Sequence, residues 1–322
     1  MRPLGKVAIC EYIGQDIGQS VGTAPTASPP LRVKMLPLIA LLGGLITFYI
    51  INAMIAGLRY ARPARIRISF ANPGDRDLAY EAVQISSSDG AKLAGWYIPS
   101  QNRAAVILLH GYSGNRLGVM FHAETLAQNG FGVLLFDLRA HGDSGGTGTF
   151  ARGESMIADL AAALAFVQHR PDVDGQRIGV MGVSVGGTMA LQGAARLKGL
   201  AAAASDGAGP AAYADLEPPQ NVSSRLFAPI NRLFFHMANR AAPSKPLPPN
   251  KSIVAQIAPR PVLFIAAGRG GEAHLSRQYY AAAHEPKELW EIGDAPHAGG
   301  WHKHPDTYAR TLVDFFQRHL LA

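Results

Sequence analysis

The sequence predicts an α/β domain, a mostly parallel central sheet with helices on both faces, preceded by one membrane-spanning helix. Three observations lead there. Beyond residue 69, short aliphatic runs alternate with Ala-rich helical stretches; one long uncharged apolar run precedes them; and a Gly-x-Ser-x-Gly turn joins a buried run to a helix. With 48% apolar residues in 322, the chain has the composition of a folded globular protein.

Residues 1–35 contain Pro25, Pro29 and Pro30 and lack sustained periodicity, which predicts a disordered lead-in. Residues 36–58, LPLIALLGGLITFYIINAMIAGL, carry no charge, and a helix rising ~1.5 Å per residue through them crosses a hydrocarbon core of ~30 Å. The run is too long for the core of a cleaved signal peptide, and no clear small-residue cleavage site follows it. It therefore reads as a transmembrane anchor. Arg59, Arg62, Arg65 and Arg67 stand behind it against Arg32 and Lys34 in front, a bias that places the C-terminal side in the cytoplasm. Met35, directly before the run, is an alternative start.

The formal charge of +7 invites a nucleic-acid reading, and its distribution removes it. Residues 1–67 hold eight basic and two acidic side chains, +6, whereas the rest holds 22 and 21, +1. The charge flanks the apolar helix, and the folded part is nearly neutral. Cys10 is the only thiol, which excludes an intrachain disulfide and a Cys-based zinc site; it reads as a bystander.

Residues 69–322 are expected to form the α/β domain. Glu81–Ser87 and Lys92–Ile98, separated by Asp89-Gly90, predict an antiparallel hairpin at the sheet edge. Val106–Leu109, Val133–Phe136, Ile178–Met181, Leu200–Ala204 and Val262–Ile265 predict buried strands, and Lys287–Ile292 a last one. Arg116–Gln128, Glu154–His169, Gly186–Arg196, Leu275–His284 and Pro305–His319 predict the helices. Between about 210 and 260 the prolines cluster and Val222–Asn239 has helical spacing, with Leu226, Ile230, Leu233, Phe234 and Met237 on one face. Lying between two strands, this insertion covers the C-terminal sheet edge, as a lid or as a packed surface helix.

The chemistry centres on Gly182-Val183-Ser184-Val185-Gly186. A serine at a sharp strand-to-helix turn lifts its hydroxyl above the sheet, and glycines on either side remove Cβ atoms that would collide with neighbouring elements. The helix behind it offers unpaired N–H groups to a developing oxyanion. Neither a dinucleotide fingerprint nor a P-loop fits the glycine spacing here or at Gly111–Gly114.

Leu108-Leu109-His110-Gly111-Tyr112, Phe136-Asp137-Leu138-Arg139-Ala140-His141-Gly142-Asp143-Ser144-Gly145 and Gly182–Gly186, in that order, resemble the α/β-hydrolase superfamily over about residues 80–320. The resemblance implies the α/β-hydrolase fold, a Ser184 nucleophile, and an oxyanion hole from the backbone N–H groups of Tyr112 and Val185. It also implies His297, beyond the last strand, as the base. His110 reads as a loop-shaping residue, and Asp137, Arg139 and Asp143 as loop-holding charges. The acid departs from the commonest pattern: the loop after Val262–Ala266 offers only Glu272, which is favoured, with Asp206 after the preceding strand as the alternative. Asp294 reads as a turn residue. His302 and His304 lack companions for a metal site, so neither metal nor cofactor is expected. Within the superfamily the chain looks most like the serine aminopeptidase, lysophospholipase-like and acyl-thioesterase-like branches. These expectations describe a membrane-anchored serine hydrolase acting on a small-molecule or lipid acyl substrate, an ester before a thioester or amide. A peptidase, an acyl transferase and a non-catalytic membrane scaffold of the same fold are the alternatives.

Overall fold

The computed structural model describes residues 31–68, 71–145, 153–242, 244–268 and 270–322. The lead-in up to residue 30, with Cys10, lies outside them. The chain divides after Thr47 into two compact units. Helix α1, Leu31–Tyr60, contains the expected apolar run; from Met35 to Tyr60 its mean hydropathy reaches 2.2, and it is long and apolar enough to cross a membrane. Its side chains from Met35 to Ile51 are exposed, Leu41 by 61%.

The larger unit is built on an eight-stranded sheet. Strands β1 (Glu81–Ser86) and β2 (Lys92–Ile98) form the expected edge hairpin, paired from Glu81 opposite Tyr97 to Ser86 opposite Lys92. Then come β3 (Ala105–Leu109), β4 (Gly132–Phe136), β5 (Ile178–Val183), β6 (Ala202–Asp206), β7 (Val262–Ala267) and β8 (Lys287–Ile292). The spatial order is β1-β2-β4-β3-β5-β6-β7-β8, parallel from β4 onward. Every residue of β3 and β4 is buried, as helices on both faces require. Along β3, Ala105, Ile107 and Leu109 join one hydrophobic cluster while Val106 and Leu108 join the other, the strand period of two dividing the core.

Helices α2 (Met120–Gln128) and α9 (Pro305–Leu320) cover one face; α3 (Glu154–Gln168), α4 (Val185–Arg196) and α7 (Gly271–Ala282) cover the other. Between β6 and β7 lie α5 (Val222–Ala241) and the short α6 (Asn250–Ile253), and α8 (Gly300–Lys303) precedes α9. Asn221 caps α5, its side chain accepting the Ser224 N–H at 2.8 Å.

Two helices correct the expectation. The stretch read as one helix from Arg116 opens as a 3₁₀ turn, Arg116–Val119, before α2. Helix α7 begins at Gly271, four residues before the expected Leu275, so Glu272 stands in a first helical turn and not on a loop. Gly270 and Gly271 conceal that start because glycine is a poor helix former, whereas a carboxylate in the first turn suits the helix dipole.

The sheet order reverses at β3, whose neighbours are β4 and β5. The loops after β3 and β5 therefore leave toward opposite faces and open a crevice at the carboxyl end of the sheet, where open α/β sheets bind their ligands.

Candidate active site

Strand β5 ends at Val183 and α4 begins at Val185, so Ser184 alone makes the turn between them. Its backbone lies at φ 57° and ψ −115°, which L residues rarely adopt. The flanking glycines permit it: a Cβ on Gly182 would sit 2.0 Å from the Gly186 carbonyl oxygen, and one on Gly186 2.2 Å from that of Leu109. The Ser184 N–H donates to the Asp206 carbonyl at 2.8 Å, fastening the turn to β6. Val185 opens α4, where no preceding helical carbonyl is present to accept its N–H.

The loop after β3 brings Gly111 beside Ser184 and sets Tyr112 at the crevice. His110 shapes it from below. Fully buried, it holds the Gly111 carbonyl through Nδ1 at 2.7 Å and accepts the Leu138 N–H at Nε2 at 2.9 Å. Burial pushes its pKa down to about 3, which keeps the ring neutral in this two-bond role.

His297 follows β8. Its Nε2 lies 3.0 Å from Ser184 Oγ, and its Nδ1 is hydrogen-bonded to Glu272 Oε2. The Glu272 carboxylate also accepts the Ala267 N–H at 2.7 Å and the Ala298 N–H at 3.2 Å, which fixes it with an edge toward the imidazole. The hydrogen bond to Glu272 raises the His297 pKa above the usual histidine value, against the opposing effect of burial.

Asp206 does not share this arrangement. Its side chain is fully buried beneath the turn and accepts the Tyr308 hydroxyl at 2.6 Å, and it has no hydrogen bond to His297. Burial pushes its pKa up to about 7. Its contribution to the turn is the backbone carbonyl that holds Ser184. Tyr308, on α9, has no signal of its own in the sequence beyond an apolar helical face.

The remaining charges hold loops. Asp137 accepts the Arg116 and Asp143 N–H groups, each at 2.7 Å, and pairs with the Arg116 guanidinium. Arg139 joins Asp159 and Asp89. Asp294 pairs with His304 at 2.9 Å, and Trp301 stacks on Phe121.

Against Ser184 opens a cavity of about 430 Å³, lined chiefly by Tyr60, Tyr112, Thr188, Leu216, Phe234 and Phe235. A larger cavity of about 670 Å³, between Asp75, Arg76 and Glu124, touches none of these groups. The first, largely apolar and lined in part by Ser184, has the character of a ligand pocket.

Fold and loops define an α/β hydrolase. Residues 100–264, just over half of the chain, match the family model described as serine aminopeptidase, S33, and the chain belongs to that family. An uncharacterized protein of Escherichia coli K12, YfhR, is 30% identical over 249 residues, 73% of this chain and 80% of the relative. An esterase from Pyrococcus furiosus superposes with a TM-score of 0.66 at 26% identity, over 81% of this chain and 98% of that one. The thiohydrolase aneE of Aspergillus aculeatus is 34% identical over 120 residues, 36% of this chain and 38% of its own. The chain is a hydrolase of the α/β-hydrolase superfamily, similar to esterases.

Proposed function

We propose that the protein is a membrane-anchored serine hydrolase that cleaves a carboxylic ester of an apolar acyl group through a Ser184 acyl-enzyme. The observation that carries this reading is the series Ser184 Oγ, His297 Nε2 and Nδ1, Glu272 Oε2, whose serine end lines an apolar pocket. His297 takes the serine proton as Oγ attacks the carbonyl carbon, while Glu272 holds the imidazole in the required tautomer and stabilises the imidazolium. The N–H groups of Tyr112 and Val185 receive the oxyanion. His297 then protonates the departing alcohol, and a water activated by the same ring releases the acid.

An aminopeptidase must bind a substrate ammonium, which calls for a carboxylate near the nucleophile. The described residues lining the pocket include none, and their aromatic and aliphatic side chains suit an acyl chain better. The esterase and thiohydrolase likenesses agree with an acyl substrate. The anchor is α1, over residues 36–58: its exposed apolar side chains match a bilayer and would be costly in water. The arginines behind it favour a cytoplasmic catalytic domain. The insertion of about 210–260 supplies the pocket cover through α5.

A fluorophosphonate probe is expected to label the full-length protein, and Ser184→Ala to abolish both labelling and turnover of p-nitrophenyl esters. Undiminished labelling of folded Ser184→Ala removes this nucleophile; an unlabelled parent chain favours the scaffold reading.

A further inference from the structure

Tyr60 is the last residue of the apolar helix, yet it lines the pocket at Ser184. Its ring stacks on that of Tyr112 with centroids 4.4 Å apart and planes 6° from parallel, and meets Phe234 edge-on at 5.8 Å. The Tyr112 hydroxyl donates to the Arg59 carbonyl at 3.4 Å. One turn earlier the helix lies hard against α5: a Cβ on Gly57 would sit 2.7 Å from the Phe234 carbonyl oxygen and 2.8 Å from Met237 Cβ. Farther back, Tyr49 meets Phe227 edge-on. The contact thus runs along three turns, and no side chain larger than hydrogen fits at its tightest point.

We infer that Tyr60 is a specificity-determining residue, and that the end of the anchor forms the wall along which the substrate's acyl chain passes between the bilayer and Ser184. This rests on the serine hydrolase reading above and names the site's substrate class, a lipid-borne acyl chain. Three observations lead to the lipid. The wall is the end of a helix whose preceding residues are apolar and exposed. The partner helix α5 carries an apolar stripe beside it, Val222 74% and Leu226 69% exposed, with Ile230, Leu233 and Met237 only partly covered. Arg59, Arg225 and Arg232 lie on the same two helices, where anionic headgroups would meet them.

The test uses full-length protein in phospholipid nanodiscs and alkyl fluorophosphonates of two, eight and twelve carbons, which report on Ser184 whatever its leaving group. In Tyr60→Ala the labelling rate constant is expected to fall ~10-fold or more for the eight- and twelve-carbon probes and less than ~3-fold for the two-carbon probe. Tyr60→Phe keeps the ring and is expected to retain the parent profile. Gly57→Leu, which wedges the helix from α5, is expected to reproduce the chain-length-selective loss. Equal loss for all three probes in Tyr60→Ala makes Tyr60 merely structural and overturns the inference, as does an unchanged profile in both Tyr60→Ala and Gly57→Leu. A parent chain that takes no probe overturns the serine reading itself, and the inference with it.

Discussion

The crevice at the end of the sheet and the face made by α1 and α5 are built on opposite terms. Around Ser184 the backbone leaves no slack: Gly182, Gly186 and Leu109 approach so closely that only hydrogen fits between them, and every strand residue from Ala105 to Leu109 is buried. Along α5, by contrast, only Phe235 and Ala238 are buried, and an apolar stripe faces outward. One region specifies geometry to fractions of an ångström; the other does so only where Gly57 seats on α5, and elsewhere supplies greasy surface with little internal constraint. The difference teaches that the proposed chemistry is held by the sheet, while the proposed substrate preference rests on helices that the described residues leave partly uncovered.

That contrast can be broken by substitution, and the largest effects belong to the crevice. Glu272→Gln is expected to lower kcat by ~10³–10⁴-fold, since the imidazole loses its oriented tautomer and its charge partner. The same change moves the acidic limb of kcat/KM to lower pH: Glu272 raises the His297 pKa, so its neutralisation lets the ring lose its proton earlier. A pH–rate profile reads both effects, and an unaltered limb removes Glu272 from the series. Gly186→Val forces a side chain against the Leu109 carbonyl and is expected to cost ~3 kcal/mol or more of stability, read by denaturant melts.

Asp206→Asn separates the two candidate acids. Because Asp206 has no bond to His297, the change is expected to alter kcat less than ~10-fold. The folded pKa of Asp206, about 7, lies above the ordinary carboxylate value of 3.8, so the carboxyl destabilises the fold increasingly as pH rises from about 4 to 7 and fully above that. An amide cannot ionise, so the variant's gain in Tm over the parent, ~2–4 °C or more at pH 8, should vanish near pH 4. Smallest of all, paired Leu226→Ser and Phe227→Ser on α5 are expected to shift stability in detergent by less than ~1 kcal/mol, because both side chains are already exposed. A large loss there would mean that the stripe is part of the core.

The same contrast governs what can be read in the sequence. Lys92–Ile98 and Lys287–Ile292 match their strands end to end because short segments of aliphatic and aromatic residues bounded by turns carry strand identity locally. The serine turn is legible from its glycines, since the steric need and the residue type coincide. Glu272 stands out only as the one carboxylate near β7, and its helical placement is hidden by Gly270-Gly271. Tyr308 and Tyr60 are invisible for another reason. Each looks like one more aromatic on an apolar helix face, and its contact exists only once α9 lies beneath Asp206, or α1 beside Tyr112. Such roles follow from tertiary packing and not from any local pattern.

The close seat of Gly57 on α5 bears on how the enzyme can be handled. Trimming the apolar helix to obtain a water-soluble fragment would bare the Phe234–Met237 ledge, strip Tyr112 of its stacking partner and leave one side of the pocket open. If Tyr60 sets chain-length preference as proposed, a fragment starting after residue 60 would have a different substrate profile from the intact chain.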